Sequence, residues 1–91
     1  MNDVPVGLAS LARAEKILHK AEKAGIKHEN ADKNIEEIIS LLNSKKPLNE
    51  GEIGQILFDF VKLCYSLHVP PELALNKKIK EFIEQFSDKN E

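Results

Sequence analysis

The chain has no tryptophan, one tyrosine, one methionine and one cysteine among its 91 residues, and aromatic residues make up only 5%. With Cys64 alone, no internal disulfide can form. Nothing resembles a Gly-rich phosphate loop, a Ser–His–Asp order or a zinc-ligand spacing. No apolar run approaches the ~18 residues of a membrane-spanning helix. The N-terminal stretch carries an acid, Asp3, and no basic region, so it does not read as a secretory signal. A formal charge of −2 argues against a nucleic-acid partner, which needs phosphates neutralised. These absences together predict a cytoplasmic protein, with no membrane and no nucleic acid among its partners.

What is present is apolar periodicity. Hydrophobic residues make up 42% of the chain and charged residues 31%, enough for one small core and a solvated surface. The expectation is a single all-α domain over residues 1–91, ordered over about 7–86, with a polar tail at 87–91.

Four helices can be drawn. The first runs from about Gly7 to Ala24, with Leu8, Leu11, Ala14, Leu18 and Ala21 on one face, and Gly25 is placed to end it. Asp32 is the expected N-cap of the second, whose apolar face is Ile35, Ile38, Ile39 and Leu42. The third begins near Asn49. Its stripe of Ile53, Ile56, Leu57, Phe60, Leu63, Cys64 and Leu67 lasts about four turns, and Phe58 and Val61 widen it. Gly54 falls on this face, where a missing side chain suits the close approach of another helix. Pro70 and Pro71 break the chain, and Pro71 suits the first turn of a fourth helix bearing Leu75, Ile79, Phe82, Ile83 and Phe86.

So much apolar helix surface on so short a chain predicts association into a helical dimer or larger homo-oligomer, paired through the third helix.

Isolated polar residues have ordinary readings. His19, His28 and His68 lack ligand spacing and read as surface residues. Cys64 reads as a small core residue. Lys77, Lys78 and Lys80 read as a solvated helix face. Glu36 and Glu37 on their own read the same way.

Taken together, several segments form a pattern. LARAEKILHKAEKAGI spans residues 11–26, KNIEEIISLL residues 33–42 and EIGQILF residues 52–58. The proline turn and LNKKIKEFIEQF, residues 75–86, follow. This succession resembles the MazG-type nucleoside triphosphate pyrophosphohydrolases over about 75 of the 91 residues. The resemblance implies an all-α helical bundle completed by dimerisation. It also implies a Mg²⁺ site made by E-E-x-x-E on one helix and E-x-x-D on the next, because carboxylates three residues apart share a helix face.

Against that pattern, Lys33, Glu36, Glu37, Glu52 and Gly54 are kept. Ser40 replaces the third glutamate and Gln55 the aspartate. Glu37 and Glu52 remain as the metal-site remnant, with Lys33 and Glu36 as family-equivalent catalytic-side positions. Lys62 stands at a family asparagine. Ile79, Glu81 and Gln85 replace the asparagine, lysine and arginine that hold the triphosphate. Ile26, Lys27 and His28 take the places of a Phe-Asp-Trp loop.

The resemblance therefore implies a degraded site. Such a protein is inactive, with a structural, regulatory or nucleotide-binding role and no cofactor. The alternative is a divergent Mg²⁺-dependent enzyme using Glu36, Glu37, Glu52 and Asp59. Glu52, Gln55, Asp59 and Lys62 share one polar stripe. The Lys62 ammonium on that stripe would stand in for the metal, neutralising Glu37 and Glu52. The competing reading is an Asp59–Lys62 surface pair worth ~0–1 kcal/mol.

Overall fold

The computed structural model describes residues 6–27, 30–44 and 46–90, and the side chains among these from Ser10 to Ser87. His28, the residues before Val6 and the Leu8 side chain lie outside the described set, and so do the expectations placed on them.

Every regular element described is a helix: α1 Val6–Lys23, α2 Ala31–Leu42, α3 Glu50–Ser66 and α4 Pro71–Asn90. The all-α expectation holds. None of these helices is long and apolar enough to cross a membrane.

The local chemistry explains the boundaries. Gly25 sits at φ 91°, and the Ile26 and Gly25 amides donate back to the Ala21 and Glu22 carbonyls at 3.0 Å. This 6→1 and 5→2 pair is a Schellman end, which needs a left-handed residue. α2 starts two residues earlier than Asp32 as its cap would place it. Its cap is Asn30, whose side-chain oxygen accepts from the Lys33 amide at 2.8 Å, and Asp32 lies in the first turn instead. An acid there still favours the helix dipole.

Asn49 caps α3 as expected and closes a reciprocal box. Its side chain accepts from the Glu52 amide at 2.8 Å, and the Asn49 amide donates to the Glu52 carboxylate at 3.1 Å. α3 ends with His68 at φ 59° and the Val69 amide bonded to the Cys64 carbonyl at 2.9 Å. Histidine tolerates this conformation better than most non-glycine residues. Pro71 opens α4, which continues past the end of its apolar stripe to Asn90.

α3 is the central element. α2 packs along it, α1 packs on both α3 and α4, and α4 meets α3 lightly. Among the described residues α2 packs on neither α1 nor α4. Among the described residues the core is thin: its buried aliphatic side chains are Leu18, Ile38, Ile56 and Val61. Ile53, Leu57, Phe60 and Leu67 of the α3 stripe stay exposed, and Cys64 is half-buried.

Gly54 does not mark a close helix contact. A Cβ added there would meet nothing within 4 Å, because Gly54 opens onto a groove.

Replacing Asn49 by Ala removes both halves of the capping box. Chemical denaturation is expected to show a loss of about 1–2 kcal/mol. A loss below ~0.3 kcal/mol would mean that α3 is held by packing alone.

Candidate functional site in the cleft between α2 and α3

α2 and α3 meet along Asn34, Ile38 and Leu41 on one side and Ile56 and Asp59 on the other. The spacing 34, 38, 41 is one helical face, so a polar residue is carried inward with its apolar neighbours. Asn34 is fully buried and Asp59 is 1% exposed, the two most buried side chains of the described residues. Toward the solvent the helices part to leave a cleft of about 370 Å³. It is lined by Glu37, Ser40, Leu41, Gln55, Asp59 and Lys62.

The chemistry of the cleft centres on Asp59. A buried carboxylate is costly unless paired and hydrogen-bonded. The Gln55 side-chain nitrogen donates to Asp59 Oδ1 at 2.9 Å, one helical turn away. The Lys62 ammonium stands 3.7 Å from the same oxygen and 5.7 Å from the centre of the Phe58 ring. At that distance the ammonium acts through its field more than through a hydrogen bond. The gross attraction is of order 4 kcal/mol at an effective dielectric of ~20, before any desolvation cost. The Asp59–Lys62 pair is thus no surface pair: its acid is enclosed and its base three-quarters covered.

The sequence-derived site residues divide. Glu37, Ser40, Gln55 and Lys62 come together in this cleft. Glu52 is not among its lining. Its carboxylate turns to the helix start, where it accepts from the Asn49 amide and lies 3.0 Å from the Lys46 ammonium. These contacts, the Asn49 bond foremost, hold its pKa below the ordinary 4.5. Lys33 and Glu36 are exposed on α2.

Ile79, Glu81 and Gln85 lie on α4, on a shallow surface shared with Lys78 and Phe82. Since α2 and α4 do not pack together, the α4 positions are not cleft residues within this chain. Among the described residues no group of three or more His, Cys, Asp and Glu stands close enough to hold a metal ion.

Asp59 is the cleft residue that sequence reasoning undervalued. Its signal was an acid flanked by Phe58 and Phe60 within the apolar run of α3. Asn34 carried a weaker one, its three- and four-residue spacing from Ile38 and Leu41.

A second polar cluster ties α1 to α3. The Tyr65 hydroxyl donates to the Glu22 carboxylate, and His19 Nδ1 lies 3.3 Å from the same hydroxyl. The bond to Glu22, then burial, pushes the Tyr65 pKa up. Burial, then the nearby Glu15 charge, pushes the Cys64 thiol up. Both effects disfavour the thiolate, the reactive form of a cysteine.

The chain is similar to the nucleoside triphosphate pyrophosphohydrolase/pyrophosphatase MazG of Thermotoga maritima. The two are 33% identical over 87 residues, covering 90% of this chain and 34% of that protein. The chain therefore spans about a third of the length of the curated relative it matches. No family model matches it, and no solved structure matches it at a significant level. In sequence the chain is MazG-like, and its four described helices agree with the all-α fold expected from that likeness.

Two outcomes test this geometry. Lys62→Met leaves Asp59 with Gln55 but without its counter-charge. It is expected to lower stability by about 1–3 kcal/mol, a shift of several degrees in melting temperature. A midpoint equal to wild type would show that the ammonium contributes nothing. For Glu52, a lowered folded pKa means stability present above the unfolded value and lost as pH falls through the folded one. Glu52→Gln should therefore be less stable than wild type near neutrality, with the gap closing as pH drops below about 4.5. A gap that is constant with pH contradicts this.

Proposed function

We propose that the chain is a nucleotide pyrophosphohydrolase-fold protein whose metal and triphosphate site is degraded. It then acts as a structural, regulatory or nucleotide-binding member of its kind, without catalysis. The observation that carries this reading is the content of the α2–α3 cleft. A Mg²⁺ ion that takes a triphosphate wants several hard oxygen ligands and open positions. The cleft offers the Glu37 carboxylate, a hydroxyl at Ser40 and an amide at Gln55. Its other carboxylate, Asp59, is engaged by Gln55 and faced by Lys62. Glu52 serves the start of α3. This donor set does not fit Mg²⁺.

In this reading Lys62 supplies a fixed positive charge on the face where the resemblance puts the metal. The carboxylate it neutralises is chiefly Asp59. The position of Asp59, one helical turn beyond Gln55, explains why the cleft keeps its shape with two of the resemblance's four ligands replaced. The α4 positions agree with this. Ile79 cannot hydrogen-bond a phosphate, Glu81 repels one, and neither lines the cleft. Each lost charged contact is worth several kcal/mol of transition-state stabilisation, so the changes together leave little catalysis.

One observation favours a second reading, an active and divergent enzyme. Glu37 and Asp59 line one cleft, so displacing Lys62 would leave two carboxylates in one site without that counter-charge.

Pyrophosphate release from the canonical nucleoside triphosphates with Mg²⁺ separates the two readings. The expected result is no release above the buffer rate. Turnover of ~1 s⁻¹ or more, abolished by Glu37→Gln, would establish the second reading in place of the first.

A further inference from the structure

We infer that Lys62 shuts divalent cations out of the α2–α3 cleft, its ammonium holding the position of a site for a large, oxygen-seeking ion of the Ca²⁺ type. This rests on the reading of the cleft as a degraded metal site and names what keeps a metal out.

The first ground is that two unlike groups mark one cation position. Lys62 Nζ stands 3.7 Å from Asp59 Oδ1 and 5.7 Å from the centre of the Phe58 ring. A carboxylate and an aromatic face both favour a positive charge, and neither requires that a lysine bring it. The 3.7 Å separation is longer than the ~2.7–3.2 Å of an N–H···O bond. Gln55 makes that bond to the same oxygen, at 2.9 Å. What Lys62 supplies to Asp59 is therefore charge, at a place where an ion can supply it as well. The Lys62 side chain is 23% exposed, so solvent disperses little of that charge.

The second ground is the donor set. Around the ammonium the cleft gathers the Glu37 and Asp59 carboxylates and the Ser40 hydroxyl. Gln55, whose side-chain nitrogen is engaged by Asp59, adds a carbonyl oxygen. These groups do not meet the tight octahedron that Mg²⁺ demands. They suit Ca²⁺, which takes roughly six to eight oxygens at longer and less regular distances, amide carbonyls and waters among them. The cleft, about 370 Å³, has room for the waters that complete such a shell, at ~30 Å³ each.

The third ground is charge. Two carboxylates and one ammonium leave the lining with one net negative charge. A divalent ion entering beside Lys62 meets a fixed like charge in a part-buried site. With an uncharged residue at Lys62, both carboxylates face the ion unopposed. Lys46 does not take over, because it pairs with Glu52 at 3.0 Å, and neither residue lines the cleft. The carboxylates that the resemblance puts at Ser40 and Gln55 would raise the affinity of such a site, but Lys62 decides whether it forms.

Calorimetric titration of Ca²⁺ into the full chain tests this, with helicity checked by circular dichroism. Wild type and Lys62→Arg are expected to show no saturable binding below ~1 mM. Lys62→Met is expected to take one Ca²⁺ per chain with Kd near ~0.1 mM, at the weak end of calcium sites and at least ~10-fold tighter than wild type. Mg²⁺ should bind it more weakly, and adding Glu37→Gln should return it to the wild-type result. If Lys62→Met lacks helicity by itself, ~10 mM Ca²⁺ should restore it by mass action on the folded state. The proposal is overturned by a folded Lys62→Met chain that binds no tighter than wild type, or by an unfolded one that Ca²⁺ does not restore. Binding by wild type or Lys62→Arg at ~0.1 mM, binding that survives Glu37→Gln, or a preference for Mg²⁺ overturns it as well. Failure of the underlying reading is a separate result, pyrophosphate release by the wild-type chain.

Discussion

A carboxylate in the interior of a small helical protein has to be paired, and here the obligation falls on the one helix that touches all the others. Asp59 is enclosed at the α2–α3 seam, and both groups facing it come from α3 itself: Gln55 a turn before and Lys62 a turn after. The arrangement is local, so it costs little chain entropy to assemble. It frees α2 to contribute packing through Ile38 and to approach with Glu37 and Ser40 at the rim. α3 must then be apolar on its other sides to hold α1 and α4. This accounts for Val61 in the core and Leu57 in the groove.

The same polar line gives the cleft its character. Where the resemblance calls for acids that gather a cation, this chain has an amide that donates and an ammonium already present. Glu52, the other retained acid, is drawn to the helix start by the Asn49 box and by Lys46. A cleft whose enclosed acid carries its own counter-charge can hold its shape without a metal, which is the physical content of the proposal that the fold outlived its chemistry. The likeness to one third of a longer pyrophosphohydrolase gives the comparison, and the reading of this chain rests on its own cleft.

The helices were legible in the sequence because their signals are local. Gly25, Asn49 and Pro71 act through backbone conformation and capping, and each does what its chemistry suggests. Asn30 was missed because Asp32 is an equally good cap by type, and two residues of register separate them. His68 in the left-handed region carries no compositional signal of its own. At the site, Glu37, Ser40, Gln55 and Lys62 line one cleft because the spacings within α2 and α3 fix their faces. Asp59 was undervalued because burial is a tertiary property: an i,i+3 acid–base pair reads as a surface pair until α2 covers it. Gly54 was misread for a related reason, since a glycine on an apolar face fits an open groove as well as a close crossing.

The central claim is that the cleft carries its own cation. Calorimetric titration of Mn²⁺ into the wild-type chain tests it most directly. A cleft in which Lys62 offsets the Asp59 charge predicts no saturable binding below ~1 mM, that is, less than about 4 kcal/mol of binding free energy. One Mn²⁺ per chain at micromolar affinity, lost in Glu37→Gln, would contradict the account and mark the cleft as a working metal site.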